Sequence, residues 1–174
     1  IDLQELDSTS ADITFNADDD IRFGAGVGTI EASTSTGMPS LTIRGIGTGH
    51  SLGLGTGAAG AVNLDDASIA AIGAGFDGGI VFGRSGQTGT ITFAGPNHSY
   101  DENVRIFADG SNATVNINTN LDTTEGGATG NELRITAKGT PNETGISLAG
   151  DLSTDGGQVI VTGGGTLTVD NAAA

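Results

Sequence analysis

Four oxygen-bearing side chains gather after an early apolar pair: Asn16, Asp18, Asp19 and Asp20. Ca²⁺ is a hard cation that takes about six to eight oxygen ligands, and carboxylates and amides are common among them. The cluster therefore predicts a Ca²⁺ site. The alternative is an ordinary acidic turn, because Asn and Asp favour turns through local hydrogen bonds. The cluster has neither the spacing of an EF-hand nor that of a Ca²⁺-binding nonapeptide repeat.

The single tyrosine of the chain stands in a polar segment. Tyr100 is flanked by His98 and Asp101, in a stretch that we expect to be a loop. Polar groups placed beside an aromatic ring are typical of ligand contacts. The segment therefore predicts contacts from His98, Tyr100 and Asp101 to a carbohydrate or a protein. The alternative is an ordinary exposed loop.

The sequence does not point to catalysis. The chain has no Cys, and its two histidines, His50 and His98, lie far apart without a neighbouring nucleophile and base. Lyases and hydrolases built on β-helices need clustered acids, and the lyases also need a base beside the substrate. Only Arg22 lies near the acidic cluster in sequence. We expect a protein that is not an enzyme and that has no cofactor apart from the predicted Ca²⁺.

Two smaller features predict structural roles. Asp65 and Asp66 precede an Ala-rich segment that extends to Ile72, and as N-capping residues they would accept hydrogen bonds from free backbone amides. This segment is predicted to form at most one or two helical turns. Arg84 follows a strand, and we expect its guanidinium to bind loop carbonyls or a carboxylate on an adjacent coil.

The elements that must position these groups are short strands, each marked by two apolar residues with one residue between them. Alternation with a period of two places both members of a pair on the same face of a strand. The pairs are Ile13/Phe15, Ile21/Phe23, Ile30/Ala32, Leu41/Ile43, Leu52/Leu54, Val62/Leu64, Ile69/Ala71, Ile80/Phe82, Ile91/Phe93, Val104/Ile106, Val115/Ile117, Leu133/Ile135, Ile146/Leu148, Val159/Val161 and Leu167/Val169.

Strands this short cannot each bury a core, so they must stack on copies of themselves. The pattern predicts an all-β fold, namely a parallel β-helix of about five coils that forms a single domain over residues 1–174. A β-sandwich is the alternative, because regularly spaced strands are also its signature. The widest gap between pairs, from Asn118 to Asn131, predicts a loop that projects from the stack.

Composition agrees with a narrow stacked core. The chain has 31 Gly residues and only 7 aromatic residues (6 Phe, 1 Tyr), and it has a net charge of −15 from 21 acidic and 6 basic residues. Nucleic acid is disfavoured as a partner, because phosphates need clustered Lys and Arg. No apolar stretch is long enough for membrane insertion.

Residues 51–95 carry a motif as well as a pattern. Its first part is Gly57, Gly60, Val62, Asn63 and Leu64, and its second part is Ile80, Phe82, Gly83, Arg84, Thr88, Gly89, Ile91 and Thr92. This motif resembles a repeat of very large bacterial proteins of the filamentous-haemagglutinin type. The resemblance implies a right-handed parallel β-helix without catalytic activity, in an adhesin that is extracellular or displayed on the bacterial cell surface.

The same architecture predicts the partners. A β-helix ends in strands whose backbone groups invite further pairing. We expect the chain, as a segment of a longer secreted or surface protein, to pair with adjoining repeats or with other copies of itself. Host or matrix glycans and proteins are further expected partners.

Overall fold

The chain is nearly all β-structure, as predicted. The structure is a computed structural model, and it describes residues 2–3, 6–8, 11–23, 30–32, 37–123, 130–139, 144–154 and 156–169. One short helix interrupts the strands of this described part. Its bounds are α1 (Asp66–Ala70), and the strands are β1 (Asp2–Leu3), β2 (Leu6–Ser8), β3 (Ile13–Ala17), β4 (Arg22–Phe23), β5 (Ile30–Ala32), β6 (Ser40–Gly45), β7 (Leu52–Leu54), β8 (Val62–Leu64), β9 (Gly79–Gly83), β10 (Ile91–Phe93), β11 (His98–Ser99), β12 (Val104–Ala108), β13 (Val115–Ile117), β14 (Leu121–Asp122), β15 (Leu133–Lys138), β16 (Thr144–Leu148), β17 (Leu152–Ser153), β18 (Val159–Gly164) and β19 (Thr166–Val169).

The strands form three larger parallel sheets. The first sheet has the order β18-β15-β12-β9-β6-β3, the second β19-β16-β13-β10-β7-β8, and the third β11-β14-β17. Two smaller sheets pair β1 with β4 and β2 with β5. From β9 onward the chain visits the first, second and third sheets in turn. Every strand pair in the described residues is parallel, whereas a β-sandwich is built from antiparallel strands.

The core is built mostly from the predicted apolar pairs. The burial patterns of β3, β6, β12 and β15 alternate as a period of two requires. One predicted strand is wrong: Ile69 lies within α1 and Ala71 caps it, so Ile69/Ala71 is not a strand pair. The last two pairs, in β18 and β19, lie on strands but are not buried, and Leu167 and Val169 are 52% and 66% exposed.

The strands of the third sheet were not among the predicted apolar pairs. Its strands are two residues long, and the segment around His98 and Ser99 is strand β11 rather than a loop. The predicted projecting loop from Asn118 to Asn131 contains β14, and Leu121 and Thr123 within it are buried. Residues 124–129 lie outside the described residues. The inward positions of these strands include polar residues, such as His98 in β11 and Thr123 after β14, so no apolar pair marks them in the sequence.

Strands β7 and β8 are parallel neighbours joined by residues 55–61. The connection lies over the outer face of β7, where a Cβ atom on Gly53 would lie 2.9 Å from the Gly60 nitrogen and 3.0 Å from the Ala58 oxygen. Glycine at position 53 is therefore required by the close approach of this backbone. Asp66 holds the connection from the side, because its carboxylate accepts hydrogen bonds from the Thr56 amide at 2.8 Å and the Thr56 hydroxyl at 2.5 Å.

Candidate functional site

One cavity of the described structure lies between α1, with the residues that follow it, and strand β11. Its volume is about 650 Å³. Glu31, Asp66 and Ile72 lie on one side, and His98, Ser99 and Tyr100 lie on the other. Asp101, the third predicted contact residue, also lines it. The structure therefore brings His98, Tyr100 and Asp101 to one cavity.

Helix α1 forms one wall of this cavity because two side chains fix its position. Asp65 is the N-cap residue, and its Oδ1 accepts a hydrogen bond from the Ser68 amide at 2.7 Å, as the sequence predicts. Asp66 has a different role from the one predicted, since it binds Thr56. The buried hydroxyl of Ser68 accepts a hydrogen bond from the Phe23 amide at 3.1 Å, which attaches the helix to β4.

His98 is a buried and neutral member of the cavity wall. Its Nε2 lies 3.0 Å from the Ala94 carbonyl oxygen, and since a carbonyl only accepts, Nε2 carries the proton. Burial lowers the pKa of His98, and the Ala94 carbonyl and the Asp66 charge oppose this shift. The imidazole also packs edge-on to Phe93, with ring centres 5.9 Å apart.

Tyr100 is buried, with its ring centre 5.8 Å from that of Phe82. Its hydroxyl is buried without a hydrogen-bond partner among the described residues. Burial raises the pKa of Tyr100 far above its ordinary value, so the hydroxyl stays protonated and can donate. The hydroxyl oxygen is inaccessible to solvent, so it lies in the core rather than on the surface of the cavity.

Carboxylates make the cavity and its surroundings negative. Glu31, Asp66 and Asp101 line the cavity. Nearby, Oε1 of Glu102 accepts a hydrogen bond from the Gly75 amide at 2.8 Å. Burial raises the pKa of Glu102, and the charges of Asp77 and Asp101 raise it further. No Lys or Arg is among the described residues that line the cavity, so the site favours a cationic or hydrogen-bond-donating ligand.

The residues predicted to bind Ca²⁺ bind other side chains in this structure. Oδ1 of Asn16 accepts a hydrogen bond from Nε of Arg44 at 2.6 Å. Oδ1 of Asp18 lies 2.5 Å from Nε2 of His50. These contacts join β3 to the segment from β6 onward.

The two remaining acids of that cluster have local or cross-strand partners. Oδ1 of Asp19 accepts from the Asp20 amide at 2.9 Å, and Oδ1 of Asp20 accepts from Nδ2 of Asn63 at 2.9 Å. The hydrogen bond from Asn63 lowers the pKa of Asp20. In the described part of the chain, no group of three or more His, Asp or Glu side chains is placed to hold a metal ion. The Ca²⁺ site stays a prediction.

Arg84 has the structural contact that the sequence predicts. Its Nη2 donates to the Ile46 carbonyl at 3.2 Å, directly after β6. The cavity itself was not predicted, because its walls come from residues near 31, 66–74 and 96–101. Only the strand order brings these segments together.

Comparisons with protein-family models, with curated protein sequences and with solved structures found no match for this chain. The resemblance of residues 51–95 to filamentous-haemagglutinin repeats therefore depends on the motif alone. Among the described residues, no helix has the length and apolar character needed to span a membrane.

Proposed function

We propose that this chain is a non-catalytic structural and adhesive segment of a bacterial filamentous protein, located outside the cell or on the cell surface. Its architecture would be a right-handed parallel β-helix of about five coils. The order of strands supports this architecture, because successive strands enter the first, second and third sheets and then return to the first. Each such round would be one coil.

The open edge formed by β18 and β19 is the observation that carries the proposal. Leu133 and Ile146 are 0% and 1% exposed, whereas their in-register neighbours Val159 and Leu167 are 41% and 52% exposed. Val169 is 66% exposed and pairs in register with buried Leu148. The same face of the stack is thus buried in one coil and exposed in the next. Further strands would bury it, as in a longer filament.

The covering strands belong to an adjoining repeat or to a second copy of this chain. Edge backbone groups supply the hydrogen bonds, and the exposed Val and Leu side chains supply apolar area. The net charge of −15 per copy opposes association between copies. Salt screens this repulsion, because the Debye length falls from about 10 Å at 0.1 M to about 3 Å at 1 M.

Sedimentation velocity over this range of NaCl concentration tests the proposal. We expect association to strengthen as the salt concentration rises, and Val169→Asp to weaken it. Met38→Asp is the matched control, because Met38 is 74% exposed and lies before β6, away from the open edge. A clean monomer at every salt and protein concentration, or equal effects of the two variants, would contradict the proposal.

A carbohydrate-binding or carbohydrate-active β-helix module is the alternative. The gathering of His98, Tyr100 and Asp101 at one cavity favours it. Aromatic rings that stack on sugars need an accessible face, and every aromatic ring except the half-exposed Phe107 is buried. We therefore prefer the structural role. Binding to a glycan array by the full chain would favour the alternative.

A further inference from the structure

From β4 to β10, the second side of the fold stacks four strands, whereas the third side stacks only three described segments over the same stretch of chain. The Ile21 amide donates to the Asn63 carbonyl at 3.0 Å, so the segment ending in β4 adjoins β8, and β7 and β10 follow. Over the same stretch of chain, the third side of the fold has only β5, residues 71–74 and β11 among the described residues. No strand pairing joins residues 71–74 to β11 in this part of the chain. The cavity of about 650 Å³ lies between them.

Strand β11 presents a free backbone edge to this gap. The amides of His98 and Tyr100 donate to the carbonyls of Asn120 and Asp122 at 3.0 and 2.9 Å, on the side of β14. The hydrogen-bonding direction alternates along a parallel strand. The amide and carbonyl of Ser99 therefore point to the opposite side, into the gap.

Residues 71–74 present a second edge to the same gap. The Ile30 amide donates to the Ala71 carbonyl at 2.9 Å, and the Gly73 amide donates to the Ile30 carbonyl at 2.8 Å. The Ile72 amide donates to the Ile69 carbonyl at 3.0 Å, whereas the carbonyl of Ile72, opposite the Gly73 amide in the same peptide plane, points away from β5 and towards β11. The gap is thus bordered by the edge of β11 on one side and by the Ile72 carbonyl on the other.

The side chains around the gap define what can enter it. Ile69 and Ile80 are 5% and 1% exposed and lie on the inner side of the gap. Glu31 and Ser99 are the outward-facing residues of β5 and β11. An inserted strand would therefore meet apolar groups inside and a carboxylate outside.

We propose that the gap binds an extended peptide of alternating character, in which a basic residue is flanked by two β-branched residues. The peptide enters parallel to β11 and adds the strand that the third side of the fold lacks. Its basic side chain faces Glu31, and its inward residues pack on Ile69 and Ile80. This site is separate from the open edge of β18 and β19, so it goes beyond the proposed filament role.

The probe is a fluorescein-labelled peptide with a Gly-Ser-Val-Lys-Thr-Ser-Gly sequence, titrated with the full chain and followed by fluorescence anisotropy. In the parallel register, the Lys amide donates to the Ile72 carbonyl and the Thr amide donates to the Ser99 carbonyl. We expect saturable binding that weakens with salt. N-methylation of the Lys amide, or replacement of Lys by Glu, should weaken binding by about fivefold or more.

Two variants of one residue make a matched pair. Ser99→Pro removes an amide that points into the gap, and proline is tolerated at such an edge. Ser99→Ala keeps the amide and removes only an exposed hydroxyl. We expect Ser99→Pro to weaken peptide binding by about fivefold or more and Ser99→Ala to leave it unchanged. Circular dichroism checks that both variants fold, and if Ser99→Pro does not, the N-methylated peptide on the unchanged protein decides.

Several outcomes would overturn the proposal. They are the absence of peptide binding up to about 1 mM, where binding free energy is only about −4 kcal/mol, equal binding of the parent and N-methylated peptides, and equal binding by two folded Ser99 variants. Displacement of the peptide by a neutral oligosaccharide, without any effect of N-methylation, would overturn it in favour of a sugar site.

Discussion

The rings of Phe82 and Phe93 meet edge to face, with their centres 5.3 Å apart. Phe82 belongs to the first sheet and Phe93 to the second, and Tyr100 at the end of β11 packs 5.8 Å from Phe82. Side chains from three sides of the fold therefore meet at Phe82. A core built largely of small aliphatic residues has few such rings, and their loss cannot be compensated by neighbours of similar size.

Phe82→Ala tests this junction. The side chain is fully buried, so its removal should leave a cavity and lower the free energy of unfolding by about 3–5 kcal/mol. Thr92→Ala is the control, because Thr92 lies between Ile91 and Phe93 on the outer face of β10 and should cost under about 1 kcal/mol. Urea unfolding followed by circular dichroism measures both values. Equal losses would show that Phe82 is not at a packed junction.

Gly53→Ala tests the crossing of residues 55–61 over β7. A Cβ atom there would clash with Oδ1 of Asn63 and would lie 2.9 Å from the Gly60 nitrogen, and the backbone nitrogen cannot move as easily as a side-chain end. We expect a loss of about 1–3 kcal/mol in the free energy of unfolding, the usual cost of overpacking. In Gly49→Ala the nearest atom, Thr88 Oγ1, lies 3.9 Å away, so this control should be close to neutral. If Gly53→Ala left the free energy of unfolding unchanged, residues 55–61 could not lie against the outer face of β7.

The sequence was sufficient for the strands that carry a full apolar alternation. Such a strand needs only a local pattern, as in Val104 and Ile106 of β12, and these residues are buried as predicted. The same rule failed at Ile69, because Ala-rich composition and the Asp65 cap made a helical turn there. Two apolar residues with one residue between them occur in strands and in helical turns alike, so this spacing alone could not distinguish a strand from a helix.

The candidate site could be predicted only in part. His98, Tyr100 and Asp101 are neighbours in sequence, yet the first two are buried, which a loop would not predict. Their burial depends on the pairing of β11 with β14, a strand that belongs to the next round of the chain. The contact between His50 and Asp18 was missed for the same reason, since 32 residues separate them.

A calcium titration tests the acidic cluster. A bound Ca²⁺ would compete with His50 for the Asp18 carboxylate and with Arg44 for the Asn16 amide oxygen. If the predicted site forms, Tm should be higher in a millimolar excess of Ca²⁺ than in an excess of EDTA, because an ion at about a hundredfold excess over its Kd stabilises the fold by about 2.7 kcal/mol. The increase should be lost in Asp18→Asn, and an unchanged Tm would contradict the predicted Ca²⁺ site.

Glu102→Gln tests the negative surroundings of the cavity through pH. Burial raises the pKa of Glu102 above its ordinary value of 4.5, so the folded state binds its proton more tightly than the unfolded state does. The free energy of unfolding should therefore fall as the pH rises from about 4.5 through the folded pKa, and stay lower above it.

The glutamine removes this loss, because it is neutral and its Oε1 can still accept from the Gly75 amide. We expect Glu102→Gln to be more stable than the parent at pH 7 by under about 1 kcal/mol, since partial exposure screens the repulsion. The difference should vanish below about pH 4, where the parent carboxyl is protonated in both states.

Glu132→Gln gives the opposite sign and serves as the comparison. The Arg134 guanidinium donates to Oε1 of Glu132 at 3.0 Å and lowers the pKa of that carboxyl. Its contribution to stability is present above the unfolded pKa and is lost as the pH falls through the folded pKa. Glu132→Gln should therefore be slightly less stable than the parent at pH 7. Thermal unfolding of the three proteins between about pH 3 and pH 8 measures both effects, and parallel pH profiles for the two variants would rule out the charge assignment at Glu102.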